Sequence, residues 1–347
     1  MRVIAKPAYK NRTKNPYNWL LYHHLEHLGA DIHDCSLLRC LFERYDILHV
    51  HWPEDGLNAR EYSQVFYRLL SLFLIVKLAK CKGAKLVWTS HNYRAHERHY
   101  PRLEKCFWQT FLNQIDGYIS LSHQGREILL HSFPQLQQKP CLVSSHGHYQ
   151  DAYPNDVDRQ TARDRFSILP DQFVIAHFGR IRQYKNVPHL IETFRQLPDP
   201  KLVLLIAGAP ETKEIQHCIL EGATNDPRVQ VNLETLREEE FQYYLQAADL
   251  VILPYFEVLN SGSALLSLSF GCPTLLPNKG SMRELQEQVG KQWIKLYEDE
   301  LTVSVLKDAI SWASINRFDS IDLSHFDWDE IAQETFDFFK LLDRDPV

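Results

Sequence analysis

The 347-residue sequence contains no apolar run long enough to cross a bilayer. Its most apolar stretch, Val65 to Ala79, is interrupted by Arg68 and Lys77, and is too short and too charged for a spanning helix. The amino terminus shows no secretory signal, because Met1-Arg-Val-Ile-Ala runs straight into polar Lys6-Pro-Ala-Tyr-Lys. Seven cysteines, an odd number without any Cys-x-x-Cys spacing, suggest neither a disulfide framework nor a zinc ribbon. A reducing cytoplasm is the expected compartment. Repeats of solenoid length and low-complexity tracts are also missing, which argues against arrays and wholesale disorder.

What is present looks like an ordinary soluble globular protein, with 44% hydrophobic and 24% charged residues. The length predicts two domains. Charge is divided unevenly between them. Lys and Arg outnumber Asp and Glu by 19 to 12 over residues 1–150, and are outnumbered 19 to 32 over residues 151–347. Thirteen of the 17 histidines lie in the first part.

Short apolar runs alternate with helix-length amphipathic segments, the pattern of stacked β-α units around a parallel sheet. In the first part, strands are expected at Val3–Ala5, Ile47–Val50, Leu86–Thr89, Tyr118–Leu121 and Cys141–Ser144. Helices are expected at Tyr17–Leu28, Glu61–Lys80 and Gln124–His131. The second part predicts strands at Phe173–Phe178, Leu202–Ala207, Val229–Asn232, Leu250–Leu253 and Thr274–Leu276. Its helices are read at Val187–Gln196, Glu211–Glu221, Glu238–Ala247, Gly262–Phe270 and Met282–Val289. The polar, proline-bearing stretch Tyr149 to Asp156 reads as the connection between domains. The expected organisation is an α/β pair of doubly wound, Rossmann-like domains, 1–152 and 153–325, facing a central cleft. An amphipathic segment within 326–347, Trp328–Leu342, would pack back on the first domain.

In the second domain, His177-Phe-Gly-Arg-Ile-Arg-Gln-Tyr-Lys-Asn186 is a buried strand ending in Gly179. A loop carrying Arg180 and Lys185 follows and opens a helix at Val187-Pro188. Two cations beside a helix start, at the carboxyl edge of a strand, suit a phosphate. A second run passes from the strand at Leu250 through Glu257 into Asn260-Ser-Gly-Ser263, a helix start with capping hydroxyls. Gly262 there lets a ligand approach the backbone amides. Glu257 is a candidate acceptor for sugar hydroxyls.

These residues, in this order, resemble the donor domain of GT-B glycosyltransferases of the family-4-like branch. The likeness is carried by Gly179-Arg180 with Lys185-Asn186, Leu205-Ile-Ala-Gly208, Ala248-Asp-Leu-Val-Ile-Leu-Pro254, the Glu257 loop and Gly271-x-Pro273. The resemblance implies that Arg180 and Lys185 grip the donor diphosphate and that the Ser261–Ser263 helix start supplies amides to it. The second of the two glutamates found in retaining members falls on Leu266, beside Ser267, which tilts the expectation toward inversion. The Asn-Ser-Gly-Ser-Ala-Leu-Leu form is similar to the family-94 type, bacterial β-mannosyltransferases using GDP-mannose and a polyprenyl-diphosphate-linked acceptor.

In the first domain, His49-Val-His-Trp-Pro-Glu-Asp-Gly56 and Leu86-Val-Trp-Thr-Ser-His-Asn-Tyr-Arg-Ala-His-Glu97 each run from a strand end into a loop. Both resemble acceptor-domain loops of the same enzymes. An inverting transfer needs a base for the acceptor hydroxyl, and Glu54, Asp55, His91 and Glu97 are the candidates. A carboxylate, Glu54 or Asp55, is favoured, with His91 contacting the transferred sugar or a phosphate. Trp52 would stack on a sugar ring, and Asn92 and Glu97 would contact the acceptor. His49 and His51 are read as pointing to opposite sides of their strand. No metal-binding spacing is present, so neither a metal nor another cofactor is expected beside the nucleotide-sugar substrate. Tyr22-His-His-Leu-Glu-His27 is read as a solvated helix face.

Lys6, Lys10, Arg12 and Lys14 with Tyr9 form one basic loop. A second run comprises Arg94, His96, Arg98, His99, Tyr100, Arg102 and Lys105. Both would suit an anionic membrane surface or a diphosphate-linked lipid. Nucleic acid is not expected, since the chain is acidic and carries no reader motif. The expected activity is that of a hexosyltransferase, moving a sugar from a nucleoside diphosphate to a saccharide acceptor on a lipid-linked polysaccharide precursor. The alternatives are a non-catalytic nucleotide- or glycan-binding protein of this fold, a sugar-nucleotide epimerase, or a phosphorylase.

Overall fold

Strands covered on both faces read as unbroken apolar runs, and that rule lays out most of this chain. The computed structural model describes residues 1–13, 15–95, 99–224, 226–315 and 320–344. Two compact units result, Met1–Gly147 joined by the chain from Phe326 on, and His148–His325.

The first unit holds strands β1 (Arg2–Lys6), β2 (Asp31–Asp34), β3 (Ile47–His51), β4 (Lys85–Ser90), β5 (Gly117–Ser120) and β6 (Cys141–Val143). They form one parallel sheet in the order β2-β1-β3-β4-β5-β6. Its helices are α1 (Tyr17–His27), α2 (Leu37–Phe42), α3 (Tyr62–Cys81), α4 (Pro101–Gln114) and α5 (His123–Ser132). The chain winds from β1 outward to β2, then returns past β1 to β3. The point where winding reverses therefore lies between β1 and β3, and there α/β sheets bind ligands at the strands' carboxyl ends.

Three of these elements, β2, α2 and α4, were not expected from the sequence. β2 is a polar edge strand, with only Ile32 of Asp-Ile-His-Asp buried. α4 overlaps the second basic run. It buries Phe107, Trp108, Phe111 and Leu112 on one side while Arg102 and Lys105 stay exposed.

The second unit holds α6 (Arg159–Arg165), β7 (Phe173–Phe178), α7 (Val187–Arg195), β8 (Leu202–Ala207), α8 (Lys213–Thr224), β9 (Val229–Asn232) and α9 (Phe241–Ala247). There follow β10 (Leu250–Ile252), α10 (Gly262–Ser269), β11 (Thr274–Pro277), α11 (Met282–Val289), β12 (Ile294–Tyr297) and α12 (Val303–Ala313). Its parallel sheet runs β12-β11-β10-β7-β8-β9, so the reversal point lies between β7 and β10. The helix expected from Glu211 begins at Lys213, which leaves Glu211 in the loop after β8. β12 is again an edge strand that pattern reading did not find.

α13 (Trp328–Arg344) packs on the first unit, against α1 and the end of the sheet. Phe338 and Leu342 occupy the space that a side chain at Gly117 would need, 2.9 Å from an ideal Cβ there. His24 Nδ1 lies 2.7 Å from Asp329 Oδ1, and the Ser144 hydroxyl donates to Glu334 Oε2 at 2.8 Å. At Gly147 the fit is tightest, since a Cβ would stand 2.2 Å from Trp328 Cε2. The Trp328 ring is itself edge-on to Tyr17, with centroids 5.3 Å apart. Gly147→Ala is therefore expected to destabilise the first unit by about 1–3 kcal/mol through overpacking. In Gly147→Ala/Trp328→Phe the losses should sum to less than those of the single variants, because one clash underlies them. Melting curves of the three variants check this, and a wild-type Tm for Gly147→Ala would reject it.

Candidate active site

In the second unit, both loops that follow the central strands converge on Gly179. This residue has φ +89°, and an ideal Cβ on it would lie 3.3 Å from Lys185 Nζ and 3.8 Å from Ser263 Oγ. The position accepts such crowding because glycine tolerates the left-handed region and leaves the backbone bare. Gly208, at the end of β8, presses against it from behind, where a Cβ would stand 2.2 Å from the Gly179 carbonyl oxygen. Reciprocal backbone hydrogen bonds fix the pair of loops: Ile181 N donates to Ala209 O at 2.9 Å, and Glu211 N to Ile181 O at 2.8 Å.

Lys185 is buried, its ammonium 5.8 Å from the centroid of the Tyr255 ring. Burial, helped by the charge of Arg182, pushes its pKa down to about 8. Arg180 instead stands exposed, with Nη2 3.1 Å from Glu211 Oε1. Glu211 also lies 3.4 Å from Arg182 Nε, so one carboxylate gathers both guanidinium groups on the loop. Neither Arg182 nor Glu211 was picked from the sequence. Arg182 sat inside the quoted motif, whereas Glu211 was hidden by its assignment to a helix.

His177 is a further residue that the sequence reading passed over, although it interrupts the apolar strand Phe-Val-Ile-Ala-His-Phe. Its Nδ1 lies 2.9 Å from the Ile252 carbonyl oxygen and so donates to it, bridging β7 to β10 at the reversal point. Its Nε2 is buried without a hydrogen-bond partner among the described residues. Burial, reinforced by Lys185, holds its pKa down at about 3.

The second loop meets the first from β10. Ser261 caps α10 by accepting from Ala264 N at 3.1 Å, and its hydroxyl lies 3.5 Å from the Tyr255 hydroxyl. Gly262 and Ser263 follow as the first turn of α10, whose free amides and dipole favour an anion. Asn260 Oδ1 accepts from the Ser281 hydroxyl at 3.0 Å and ties the loop to the start of α11. Gly280, at φ +58°, allows that approach, since a Cβ there would meet the Val258 carbonyl oxygen at 2.1 Å. Glu257 is exposed on the same loop. Leu266 is buried within α10 and Ser267 donates to the Ser263 carbonyl oxygen at 2.9 Å. Gly179, Lys185, Ser261, Gly262 and Ser263 thus share one place, with Arg180 and Glu257 exposed on the same two loops.

In the first unit, the turns after β3 and β4 meet in two contacts. The Trp52 ring stacks on His91 with centroids 4.1 Å apart and planes 20° from parallel. Trp52 holds φ +45°, a left-handed backbone that costs a non-glycine residue energy and persists only where its surroundings impose it. Beside this stack, Asn92 Nδ2 donates to Glu54 Oε1 at 3.2 Å. Glu54 is fully buried, and its Oε2 has no hydrogen-bond partner among the described residues. Burial, then repulsion from Asp55, raises its carboxyl well above the usual range. Asp55 is exposed and accepts from Asn58 Nδ2 at 3.3 Å. Glu97, like His96, Arg98 and Lys14, lies outside the described residues.

The histidines of β3 correct one expectation. His49 and His51 do not point to opposite sides. Residues two apart in a strand share a face, and their rings are 4.3 Å apart. Both reach the Tyr22 hydroxyl, which lies 2.8 Å from His49 Nδ1 and 2.7 Å from His51 Nε2. At the far ends, His49 Nε2 is 2.7 Å from Thr89 Oγ1 and His51 Nδ1 is 2.9 Å from His91 Nε2. Tyr22 is fully buried, so the Tyr22–His27 segment is not a solvated face throughout. A phenol has one proton. Tyr22 therefore donates to one imidazole and accepts from the other, which couples the tautomers from Thr89 to His91. Burial keeps all of these rings neutral, with His49 down at about 3 and His51 and His91 well below the ordinary value. Among the described residues, no three His, Cys, Asp or Glu side chains are disposed to hold a metal ion.

Known proteins match this arrangement. Residues 158–313 match the family described as Glycosyl transferases group 1. A GDP-mannose:glycolipid 4-beta-D-mannosyltransferase of Xanthomonas campestris pv. campestris is 30% identical over 332 residues, covering 95% of this chain and 89% of its own. A second protein of the same name and species is 29% identical over the same shares. Among solved structures, sucrose-phosphate synthase from Thermosynechococcus elongatus has a TM-score of 0.72 at 13% identity, with 98% of each chain covered. WaaG, a glycosyltransferase involved in lipopolysaccharide biosynthesis, has a TM-score of 0.64 at 12% identity over 99% of this chain and 98% of its own. These structural likenesses show the fold, two Rossmann-like units of the GT-B kind. The sequence relatives favour glycosyl transfer over the epimerase, phosphorylase and binding-protein alternatives. The chain is a glycosyltransferase and belongs to the same GT-B family as the Xanthomonas mannosyltransferases.

Proposed function

We propose that the protein transfers mannose from GDP-mannose to a glycolipid with inversion, the acceptor being a saccharide on a polyprenyl diphosphate at the cytoplasmic face of a membrane. The names of the 30%- and 29%-identical relatives support the donor and the acceptor class. A β-mannoside made from the α-configured sugar of GDP-mannose requires inversion, and hence a base on the acceptor side. The first unit takes the acceptor and the second takes the donor. The observation that carries the reading is the convergence of a bare glycine backbone, a buried ammonium and a capped helix start between β7 and β10.

As the bond from the anomeric carbon to the diphosphate breaks, negative charge builds on the departing oxygen. Lys185, Arg180 and the amides of Gly262 and Ser263 meet that charge in place, without a metal or other cofactor. Ser261 acts by holding the cap, and Asn260 by holding the loop. Glu257 receives sugar hydroxyls of the donor. On the other unit, Glu54 takes the proton of the attacking hydroxyl, and its raised pKa suits a carboxylate to that task near neutral pH. Asn92 orients it, and Asp55, just outside, keeps its proton affinity high. His91 contacts the transferred sugar, with its tautomer set through His51 and Tyr22. Trp52 lies against a sugar ring of the acceptor, and Glu97 is assigned to the acceptor as well. Contact with the membrane runs through the basic first unit.

Diphosphate binding should depend on the protonation of Lys185. With a pKa of about 8 in the free enzyme, binding of GDP above that pH must take up a proton, so affinity falls toward tenfold per pH unit. Lys185→Met should weaken GDP about 10- to 100-fold at pH 7, the range for one hydrogen bond to a charged group, and flatten the slope. Arg180→Ala with Lys185→Ala should abolish transfer. Calorimetric titration from pH 7 to 10 checks both, and an unaltered slope in Lys185→Met would remove that residue from the donor site.

Glu54→Gln should lower kcat about 10²- to 10⁴-fold, as for loss of a general base, while the KM for donor stays put. Because the folded state favours the protonated carboxyl, the stability that Glu54 contributes is present at low pH and lost as pH rises. The variant should therefore melt above the wild type at pH 8–9 and alongside it at pH 5. Full turnover by Glu54→Gln would move the base elsewhere.

A further inference from the structure

Fourteen large hydrophobic side chains are exposed among the described residues, and nine of them stand on α2 and α3 of the first unit. α3 buries Val65, Leu69, Leu72, Val76 and Ala79 at the spacing of a core-facing stripe. Its outer face should then be polar. Instead it carries Tyr62, Phe66, Tyr67, Leu70 and Leu74, all exposed, with Tyr67 71% accessible. They run for about 18 Å along the helix at 1.5 Å per residue. α2 adds Leu37, Leu38, Leu41 and Phe42, the last 76% accessible, and buries only Cys40. The two helices touch, and the Lys82 ammonium at the end of α3 donates to the carbonyl oxygens of Leu41 and Glu43 at 2.8 and 2.6 Å. Two adjoining helices thus both carry exposed apolar side chains.

Cations predominate along α3. Residues 60–82 hold five cations, Arg60, Arg68, Lys77, Lys80 and Lys82, against the single acid Glu61. Of these cations Lys80 is engaged with Asp116, whereas Arg68 and Lys77 are exposed beside the apolar stripe. A contiguous apolar stripe with flanking cations, on a helix that does not qualify as a membrane span, fits an interface-lying helix.

We propose that the outer faces of α3 and α2 dock the first unit onto an anionic lipid leaflet, with the apolar side chains in the acyl boundary and Arg68 and Lys77 among the phosphates. Long cationic side chains lie along apolar surface and extend their heads toward charge. Tyrosines such as Tyr62 and Tyr67 suit the level where apolar tails give way to headgroups. The surface is tied to the candidate site. The Pro53–Asn58 turn rests on α3, where a Cβ at Gly56 would touch Arg68 Cβ and Leu69 Cδ2 at 3.4 Å. Docking by α3 therefore brings the Trp52–Glu54 turn close to the leaflet that would hold a lipid-linked acceptor. This deepens the glycolipid reading and moves the membrane contact from the basic loops to a hydrophobic ridge.

Vesicle binding tests it without donor or acceptor, so its failure leaves the transferase reading intact, and failure of GDP binding leaves the docking intact. The full chain is sedimented with equimolar phosphatidylglycerol and phosphatidylcholine vesicles, and with phosphatidylcholine alone. The expected result is binding to the anionic vesicles at least tenfold stronger than to the neutral ones. Phe66→Ser/Tyr67→Ser/Leu70→Ser/Leu74→Ser should lose at least tenfold on anionic vesicles while keeping wild-type GDP affinity. Arg68→Glu/Lys77→Glu, which leaves the apolar ridge intact, should lose the preference for anionic lipid. Wild-type vesicle binding by either variant would overturn the proposal. So would absence of binding by the wild type, or a ridge that instead makes a dimer in solution which the four-serine variant dissolves.

Discussion

An ammonium group buried against bare backbone is the constraint on which the second unit turns. Removing Lys185 from water costs several kcal/mol unless something answers its charge, and the drop of its pKa to about 8 expresses that cost. A fold keeps such a group only if the surroundings leave it nowhere else to go. Gly208 pushing on Gly179, the paired amides of Ile181 and Glu211, and the Tyr255 ring under Nζ together close off the alternatives. His177, neutral and fixed to the Ile252 carbonyl, adds no competing charge. The cation is held short of its ordinary proton affinity until an anion arrives. A dianionic leaving group answers that deficit most fully when its charge is greatest, which is the preference a transferase needs.

The first unit solves an opposite problem. There desolvation keeps the three imidazoles at the ends of β3 and β4 neutral and raises the proton affinity of the Glu54 carboxyl. A cluster of imidazolium ions would repel itself and attract diphosphate indiscriminately. Neutral rings can instead be threaded on a single phenol, so that their hydrogen-bond directions are set jointly. Glu54 stands one turn away with an unsatisfied oxygen, ready to gain a proton at small electrostatic cost. Polarity without charge thus marks the strand ends of the first unit, and a buried charge marks those of the second.

The central strands were legible because β7, β8 and β3 are nearly unbroken apolar runs, and a parallel sheet covered on both faces demands that pattern. β2 and β12 escaped because edge strands meet the core on one side only and carry polar residues, Asp-Ile-His-Asp and Ile-Lys-Leu-Tyr. α4 was masked by its own cations, which occupy the outer face of a helix whose inner face is Phe107, Trp108, Phe111 and Leu112. At the loops after β7 and β10, Gly179, Lys185 and Ser263 stand in short-range sequence patterns, and the structure brings them together. Glu211 and Gly208 were not assigned roles, because what they do is defined by contact with a loop some thirty residues away in the chain. The histidine chain failed for another reason. Tyr22 sits on α1 and His91 after β4, and no local pattern reports that His51 on β3 links the two.

The unequal charge of the two parts acquires a physical sense from these details. The acidic excess after residue 150 makes Arg180, Arg182 and Lys185 a local run of cations in a negative part of the chain. Part of the basic excess before residue 151 lies on and around α3 and α4, while Lys6 ends β1, Lys10 and Arg12 follow it and Arg94 follows β4. A cation brought against the buried Glu54 would depress its proton affinity and stabilise its anion. On the long outer face of α3, the exposed cations Arg68 and Lys77 and the exposed apolar side chains are found together.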